Sequence, residues 1–258
     1  MQFLIKNKYV IDFVATLMFF TRIPVNWSYF SNKAPDFRRA AWAFPLVGLL
    51  IGFFSGITGD FFIFIGVSTF LSCIFSITVS VLITGAFHED GLADTADGLG
   101  TGGGPNRINK IIHDSRLGTY GVCALILAFL SRFGIMLSLV EAGYSLVSIL
   151  SIGFASGKLA IIVARNFFRN SKFAKTGNII GVVSIKNVFI ATIIWIIPCY
   201  FIFPLYGIFL GIIFMLLIVF ILGKKSKVAL GGLTGDILGA ISFLGEIAFL
   251  LGIIVVIN

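Results

Sequence analysis

The sequence predicts an all-α fold: a polytopic integral membrane helical bundle of about seven transmembrane helices in a single domain, residues 1–258. Three observations lead to this prediction. Of the 258 residues, 58% are hydrophobic and only 12% are charged, which is about half the charged fraction of a soluble domain. Seven apolar stretches approach the roughly 20 residues that a helix needs to cross a bilayer. Finally, the basic residues gather on one of the two sides that these stretches define.

The N-terminal segment, residues 3–24, is expected to form an amphipathic helix on the membrane surface. Lys6 and Lys8 precede its apolar run, as in a signal peptide. However, Asp12 and Arg22 interrupt that run, and no small-residue cleavage site follows. The segment therefore resembles a retained interfacial helix.

The predicted transmembrane segments follow at 40–58, 61–87, 118–140, 144–166, 187–202, 205–223 and 237–257. The fifth segment is short, and only Phe203 and Pro204 separate it from the sixth. We therefore expect a helical hairpin over 187–223, with one long kinked helix as the alternative.

The charge distribution supports this arrangement and orients it. Only Arg132 and Lys158, of the 19 basic residues, lie well inside predicted spans, and Arg165 lies at the edge of one. The side opposite the N-terminus carries only Asp60 and Glu141. Because basic residues favour cytoplasmic loops, we expect a cytoplasmic N-terminus and a multi-pass protein of the cytoplasmic (inner) membrane. All other basic residues fall in 1–39, 88–117, 167–186 and 224–236.

The net charge of +8 needs no nucleic acid to explain it. Orientation in the membrane, anionic lipid headgroups and anionic substrates are sufficient uses for these cations. We expect membrane lipid as a partner and no nucleic acid. A homo-oligomer or a biosynthetic complex stays open.

The most acidic stretch is FHEDGLADTADGLGTGGGP, residues 87–105, at the expected cytoplasmic end of the second span. Asp90, Asp94 and Asp97 are spaced i, i+4 and i+7, so they share one face of a helix. Three carboxylates on one face repel each other unless a cation lies between them. Oxygen ligands at this density suit Mg²⁺, with Mn²⁺ as the alternative. Since Mg²⁺ usually completes its shell with water and phosphate oxygens, the face predicts a phosphate-bearing substrate.

Within this stretch we assign candidate roles to each polar side chain. Asp90 and Asp94 are expected chiefly to hold metal, and Asp97 to act as a ligand or a base. Glu89 is a further candidate ligand and His88 a weaker candidate base, although both point away from the shared face.

Glycines and basic residues follow the acidic helix. Gly102 and Gly103 belong to a glycine-rich run that lets the backbone turn tightly and approach a ligand. A second helix is expected to start at Pro105. Arg107 on it, and Arg116 just after it, are candidates to bind the phosphate oxygens that the metal does not reach. His113 is expected to be solvated.

Charged residues inside the later spans are expected to be paired or functional. Arg132 and Glu246 are expected to form an ion pair inside the bundle. Lys158 is assigned to the substrate site because its long side chain can snorkel toward the cytoplasmic face. In GGLTGDILGA, residues 231–240, Thr234 is placed to cap the seventh span. Asp236 would supply a metal ligand or a base if the second and seventh spans meet.

Several of these motifs together resemble the cobalamin synthase family, also called adenosylcobinamide-GDP ribazoletransferases. They are HEDGLADTADGLGTGG, DSRLGTYG (residues 114–121), FFTRIPV (19–25), FPLVGLLIG (44–52) and GGLTGDILGA. The resemblance implies a Mg²⁺-dependent membrane enzyme that joins α-ribazole, or its 5′-phosphate, to adenosylcobinamide-GDP. GMP would be released, and adenosylcobalamin or its 5′-phosphate would form, with the active site facing the cytoplasm. The positions that match family motifs are His88, Asp90, Asp94, Asp97, Asp114, Arg116 and Asp236. With Ser115 between them, Asp114 and Arg116 are expected to bind substrate.

Two other classes compete with this interpretation. A membrane phosphotransferase of the CDP-alcohol type also uses closely spaced aspartates, but the AR pair and the fourth aspartate of its motif are missing here. A cation-coupled transporter would hold its carboxylates near the bilayer midplane, whereas these are expected at the cytoplasmic edge.

Overall fold

The structure is a computed structural model that describes residues 7–174 and 180–257. Within these ranges the chain forms eleven α-helices, two short 3₁₀ turns and no β-strand, which confirms the predicted all-α class. The helices are α1 Lys8–Phe20, α2 Phe37–Ala40, α3 Phe44–Phe64, α4 Thr69–Thr84, α5 Phe87–Thr101, α6 Pro105–Ile112, α7 Thr119–Glu141, α8 Leu146–Phe167, α9 Ile185–Ile202, α10 Leu205–Leu230 and α11 Gly235–Ile257.

Helix α1 covers the central part of the segment that was expected to be an interfacial helix. The Asn7 side chain caps it by accepting a hydrogen bond from the Tyr9 amide at 2.9 Å. On its buried face, Asp12 forms an ion pair with Arg39 of α2 at 2.7 Å. The first residues of the expected helix, 3–6, lie outside the described residues. Its position at the membrane surface stays a prediction.

Six helical segments in the described chain are long and apolar enough to cross a membrane, and a bent pair adds a seventh. This agrees with the seven predicted spans, although the second was predicted to start too early. Helix α3 runs to Phe64 and α4 begins at Thr69, because Gly66 takes a left-handed φ of 90° between them. The predicted break at Phe203 and Pro204 is present, and it separates α9 from α10.

The bent pair consists of α4 and α5, which meet at an angle of 88°. The bend lies at Gly85 and Ala86, which both adopt left-handed conformations with φ of 66° and 57°. A left-handed alanine costs about 1–2 kcal/mol, so surrounding contacts must hold the bend. One such contact is the hydrogen bond from the Arg22 amide to the Ile83 carbonyl at 2.7 Å. The bend directs the acidic helix α5 away from the axis of α4.

Glycines bring the longest helices close together. Gly48, Gly52 and Gly56 lie at four-residue intervals on α3, and a Cβ on any of them would overlap the backbone of α8. Small residues at this spacing let membrane helices pack at short range. Helix α8 is consequently buried along most of its length and forms the centre of the bundle.

Candidate active site

A pocket of about 560 Å³ opens where α5, the α6–α7 loop and the start of α11 meet. Carboxylates, a basic loop and an apolar wall form its lining, which consists of Asp90, Asp94, Ile112, His113, Asp114, Ser115, Arg116, Leu117, Phe173, Thr234, Gly235 and Asp236. The pocket therefore brings the acidic stretch next to the later segment that contains Asp236. The sequence predicted this proximity only on the condition that the second and seventh spans meet.

A glycine contact brings the two carboxylate-bearing helices together. A Cβ built on Gly91 of α5 would lie 2.8 Å from the backbone oxygen of Asp236 and 3.2 Å from the Cα of Gly239. The condition placed on the role of Asp236, that the second and seventh spans meet, is therefore fulfilled through α5 and α11. Thr234 caps α11 as predicted, since its hydroxyl accepts from the Ile237 amide at 3.4 Å.

Asp90, Asp94 and Asp236 form the negative side of the pocket. None of the three has an ion-pair partner among the described residues, whose acidic partners in ion pairs are Asp12, Glu89, Asp114 and Glu246. Asp236 has a weak hydrogen bond from the Thr234 hydroxyl, at 3.4 Å. No ion pair with a described Lys or Arg side chain therefore offsets the repulsion between these carboxylates.

Asp97 lies apart from this group, although its spacing predicted a shared helix face. Its Oδ2 accepts from the Gly118 amide and its Oδ1 from the Gly121 amide, both at 2.8 Å. A Cβ on either glycine would collide with the Asp97 carboxylate. Asp97 thus caps the N-terminus of α7 instead of lining the pocket, and this placement argues against its predicted roles as metal ligand and base.

Glu89 and His88 also lie outside the pocket. Glu89 is buried and forms an ion pair with Arg132 at 3.4 Å. His88 is 3% exposed, and its ring stacks on Phe20 with centroids 5.6 Å apart. These contacts argue against the predicted metal role of Glu89 and the predicted base role of His88. The physical reason is helical geometry, because both residues project away from the face that carries Asp90 and Asp94.

The loop after α6 supplies the polar residues opposite the carboxylates. Asp114, Ser115 and Arg116 line the pocket, and their role in binding substrate stays a prediction. Arg116 donates two side-chain hydrogen bonds to Asp114, at 2.9 and 3.1 Å. These bonds lower the pKa of Asp114 to about 2. The carboxylate is therefore ionised at physiological pH, and it holds the exposed Arg116 guanidinium near the pocket.

Four other predicted substrate residues lie away from the pocket lining. Gly102 and Gly103 end α5 with positive φ of 67° and 109°, which confirms the tight turn but places neither in the lining. Arg107 packs beside Gly103, with its Cδ 3.0 Å from the position of a Cβ there. Lys158 is buried, and its Nζ lies 3.5 Å from the Ser242 hydroxyl. Snorkelling does not bring its amine to the surface.

His113 and Phe173 line the pocket but were not predicted to be functional. The His113 Nδ1 lies 3.1 Å from the Asn109 carbonyl, which leaves Nε2 free of that bond. Its position beside Asp114 in the motif is a signal that could have identified it. Phe173 comes from the segment after α8, and only the tertiary fold brings it to the pocket.

The described residues contain no group of three histidine, cysteine or acidic side chains arranged to hold a metal ion by themselves. The expected metal face of Asp90, Asp94 and Asp97 is therefore not a closed coordination site. What the pocket offers is a set of open carboxylate oxygens beside a space large enough for a ligand.

The chain is similar to characterised families in sequence. Residues 12–254 match the cobalamin-5-phosphate synthase family. An adenosylcobinamide-GDP ribazoletransferase of Clostridium botulinum (strain Langeland) is 38% identical over 93% of this chain and 96% of its own length. Proteins of the same name from Escherichia coli K12 and Azorhizobium caulinodans are 36% and 32% identical over 94% and 96% of this chain, covering 98% and 97% of their own lengths. No solved structure matches the chain significantly.

Proposed function

Because the chain belongs to the cobalamin-5-phosphate synthase family, we propose that it joins α-ribazole, or its 5′-phosphate, to adenosylcobinamide-GDP. The products are GMP and adenosylcobalamin or its 5′-phosphate. The observation that carries the proposal is the pocket in which Asp90, Asp94 and Asp236 face the Arg116 loop. In the proposal, the protein lies in the cytoplasmic (inner) membrane and this pocket opens to the cytoplasm.

The identity of the leaving group defines the bonds that change. Because GMP leaves, the attacked phosphorus is the one that bears the cobinamide. A ribose hydroxyl oxygen of ribazole forms a bond to that phosphorus, and the bond between the phosphorus and the oxygen of GMP breaks. The hydroxyl proton passes to a base. Negative charge on the phosphoryl oxygens and on GMP has to be neutralised during the transfer.

Asp90 and Asp94 are the residues that would hold Mg²⁺, or Mn²⁺ in its place. Both line the pocket, and within the described chain neither forms an ion pair with a basic side chain. An open pair of carboxylates fits Mg²⁺, which is seldom fully enclosed by protein and retains positions for water and phosphate. When bound, the ion would neutralise charge on the diphosphate and on the leaving group.

Asp236 is the side chain proposed to accept the hydroxyl proton. The pocket lining holds two carboxylates besides Asp90 and Asp94, and one of them, Asp114, is paired with Arg116. Asp236 has no such ion pair with a described residue, and it lies on a different helix from Asp90 and Asp94. A base on the facing helix allows the substrate to lie between it and the diphosphate-binding residues. Asp97 and His88 are less suitable, since neither lines the pocket.

Arg116 is proposed to bind diphosphate oxygens. It is already oriented by Asp114, so little side-chain entropy is lost when it forms further charge-assisted hydrogen bonds. On another side of the pocket, Ile112, Leu117 and Phe173 form an apolar wall. A flat aromatic base of either substrate can stack or pack against such a wall.

The test is a reconstituted transfer reaction. Purified protein in lipid vesicles is supplied with adenosylcobinamide-GDP, α-ribazole and Mg²⁺, and both GMP and the corrinoid product are measured. We expect activity that depends on divalent metal and that falls at least 100-fold in Asp94→Asn. The matched control is Glu141→Gln, which neutralises an exposed carboxylate remote from the pocket and should retain full activity.

A folded parent protein that makes no corrinoid product would overturn the proposed reaction. Other alcohol substrates with a nucleoside diphosphate would then be tried, starting with CDP-alcohols. Equal activity in Asp94→Asn and the parent would instead leave the reaction in place and remove Asp94 from it.

A further inference from the structure

Arg132 lies in a buried charged cluster that the proposed reaction does not use. It is on α7 and only 1% exposed. Its Nη2 lies 2.8 Å from Glu246 Oε2, and its Nη1 lies 3.4 Å from Glu89 Oε1. The guanidinium also lies over the ring of Phe243, 4.1 Å from the centroid, and 5.0 Å from that of Phe154. Arg132 therefore connects α5 to α11 through one side chain.

The cluster has no net charge, but burying its charged groups costs free energy. Lys158 supplies a second buried cation near the two glutamates, so two positive and two negative groups share the interior of the bundle. Charges inside a membrane protein are expensive even when paired. Buried ion pairs can often be replaced by apolar residues without loss of stability. Their best-attested use is to specify one arrangement of packed helices over others.

The two carboxylates that Arg132 binds belong to the helices that carry the pocket carboxylates. Glu89 directly precedes Asp90 on α5. Glu246 follows Asp236 on α11 by ten residues, which is about 15 Å along a helix. A shift at either contact would therefore be transmitted along the helix to the pocket.

One further contact between α5 and α11 is made through glycine. At Gly91 and Gly239 the two backbones approach closely, and neither glycine has a side chain that could interlock with the other helix. Such a contact permits a short interhelical distance, but it resists rotation and sliding only weakly. The charged cluster supplies the directional contact that the glycines lack.

We propose that Arg132 is a positioning residue, which fixes the register of α5 against α11 and thereby the spacing of Asp90 and Asp94 from Asp236. The effect on the helices stands on the contacts alone. The effect on the reaction rests on the proposed function.

The test variant is Arg132→Met combined with Glu246→Gln. It removes the bridge to α11 and leaves Glu89 and Lys158 as a balanced pair, so no net buried charge is created. The control variant is Asp12→Asn combined with Arg39→Gln. It removes a shorter ion pair between α1 and α2, at 2.7 Å, that touches neither α5 nor α11.

The first measurement is the distance between α5 and α11 by pulsed electron paramagnetic resonance in lipid vesicles. Spin labels are attached to cysteines introduced at Ala96 and Leu251, which are partly exposed and exposed. The background carries alanine in place of Cys73, Cys123 and Cys199. This readout does not depend on any activity, and a melting curve of each variant shows whether it is folded.

We expect a narrow distance distribution in the parent and in the control. In Arg132→Met/Glu246→Gln the distribution should broaden or shift by several Å while the protein stays folded. The half-saturating Mg²⁺ concentration of the transfer reaction should rise at least tenfold, and kcat should fall. A purely stabilising ion pair would change the melting curve without changing the Mg²⁺ dependence of the folded protein.

An unchanged distance distribution in the folded variant would overturn the positioning role, whatever the activity. An altered distribution with unchanged Mg²⁺ dependence would overturn the link to the pocket. If the parent itself has no transfer activity, the proposed function fails, and the distances still decide the structural part. If the double variant does not fold, Arg132→Lys allows the same measurements, because a lysine keeps the positive charge but cannot bridge both glutamates as the guanidinium does.

Discussion

Asp97 illustrates how a carboxylate in a motif can serve the site without facing it. Its spacing from Asp90 and Asp94 predicts a shared helix face, and α5 does continue through it. The sequence could not reveal that the amides of Gly118 and Gly121 would approach it, because that contact joins residues more than twenty positions apart. With both oxygens bonded, Asp97 holds the start of α7 and the loop that precedes it.

This geometry predicts that Asp97→Asn acts through substrate binding. The neutral asparagine amide keeps one acceptor oxygen, so both backbone N–H groups lose a charged partner. One of them also loses its acceptor and faces the side-chain NH2 donor, at a cost of about 1–3 kcal/mol. The loop with Arg116 should become less well positioned. We expect KM for adenosylcobinamide-GDP to rise several-fold while the half-saturating Mg²⁺ concentration stays within about twofold. A tenfold change in Mg²⁺ dependence with an unchanged KM would instead identify Asp97 as a metal ligand.

Whether another residue could be placed correctly from the sequence depended on how far along the chain its partners lie. Motif residues with local partners were placed near their observed positions: Asp114 and Arg116 through the family resemblance, and Thr234 from its place before the seventh span. Lys158 was not, because the sequence does not show whether a lysine inside a span reaches the surface. Its ammonium lies 5.2 Å from the centroid of the Phe20 ring on α1, which only the tertiary fold brings there.

At the scale of elements, the sequence predicts the spans but not the bend that makes the site. Hydropathy identifies α4 and α5 as one apolar-to-acidic stretch. The angle of 88° depends on left-handed residues at Gly85 and Ala86, and an alanine gives no sequence signal for such a conformation. The contact between α5 and α11 was likewise conditional, since small residues permit close packing but do not specify the partner helix.

The contact at Gly91 provides a test of helix packing. In Gly91→Ala the new Cβ would lie 2.8 Å from the Asp236 backbone oxygen, and backbone cannot move aside as a flexible side chain can. Overpacking of this kind costs about 1–3 kcal/mol. We expect a lower melting temperature and a drop in kcat/KM of at least tenfold, because the helices that carry the pocket carboxylates are forced apart.

A matched control for this substitution is Gly134→Ala on α7. Its Cβ would meet no heavy atom within 4 Å among the described residues, and alanine is the better helix former by about 1 kcal/mol. We expect unchanged activity and an equal or higher melting temperature. Equal effects of both alanine substitutions would mean that helix propensity, and not the α5–α11 contact, explains the change.

In the whole molecule, most of the basic residues lie at one end of the bundle. They belong to four segments, residues 1–39, 88–117, 167–186 and 224–236. The amide of Arg22 bonds to the end of α4, and the Asn187 side chain donates to the Arg39 carbonyl at 3.0 Å. The Ser171 amide bonds to the Leu233 carbonyl at 2.9 Å. This arrangement requires an even number of crossings between successive basic segments. We therefore expect helix α4 to cross the membrane, although it has only 16 residues.

Seven crossings place the basic end and the C-terminus on opposite sides, which predicts the outcome of labelling with a membrane-impermeant maleimide. Single cysteines at Lys33, Lys224 and Glu141 are introduced in the cysteine-free background, and all three positions are exposed. Lys33 and Lys224 lie before and after α4 in basic segments, and Glu141 lies at the opposite end of the bundle. In intact spheroplasts we expect Glu141→Cys to react, and Lys33→Cys and Lys224→Cys to react only after permeabilisation. The cytoplasmic position of the pocket follows from that pattern, because Lys224 and the pocket belong to the same end.

The reverse labelling pattern would place the pocket outside the cytoplasm and would contradict the positive-inside orientation. Labelling of only one of Lys33→Cys and Lys224→Cys from outside would contradict seven crossings, because an α4 that turned back would put the N-terminal basic residues on the side opposite the pocket. That arrangement would also have to break the Arg22 contact with α4. The labelling experiment therefore tests the charge pattern and the fold together, since both depend on whether a 16-residue helix spans the bilayer before the chain turns into the acidic helix.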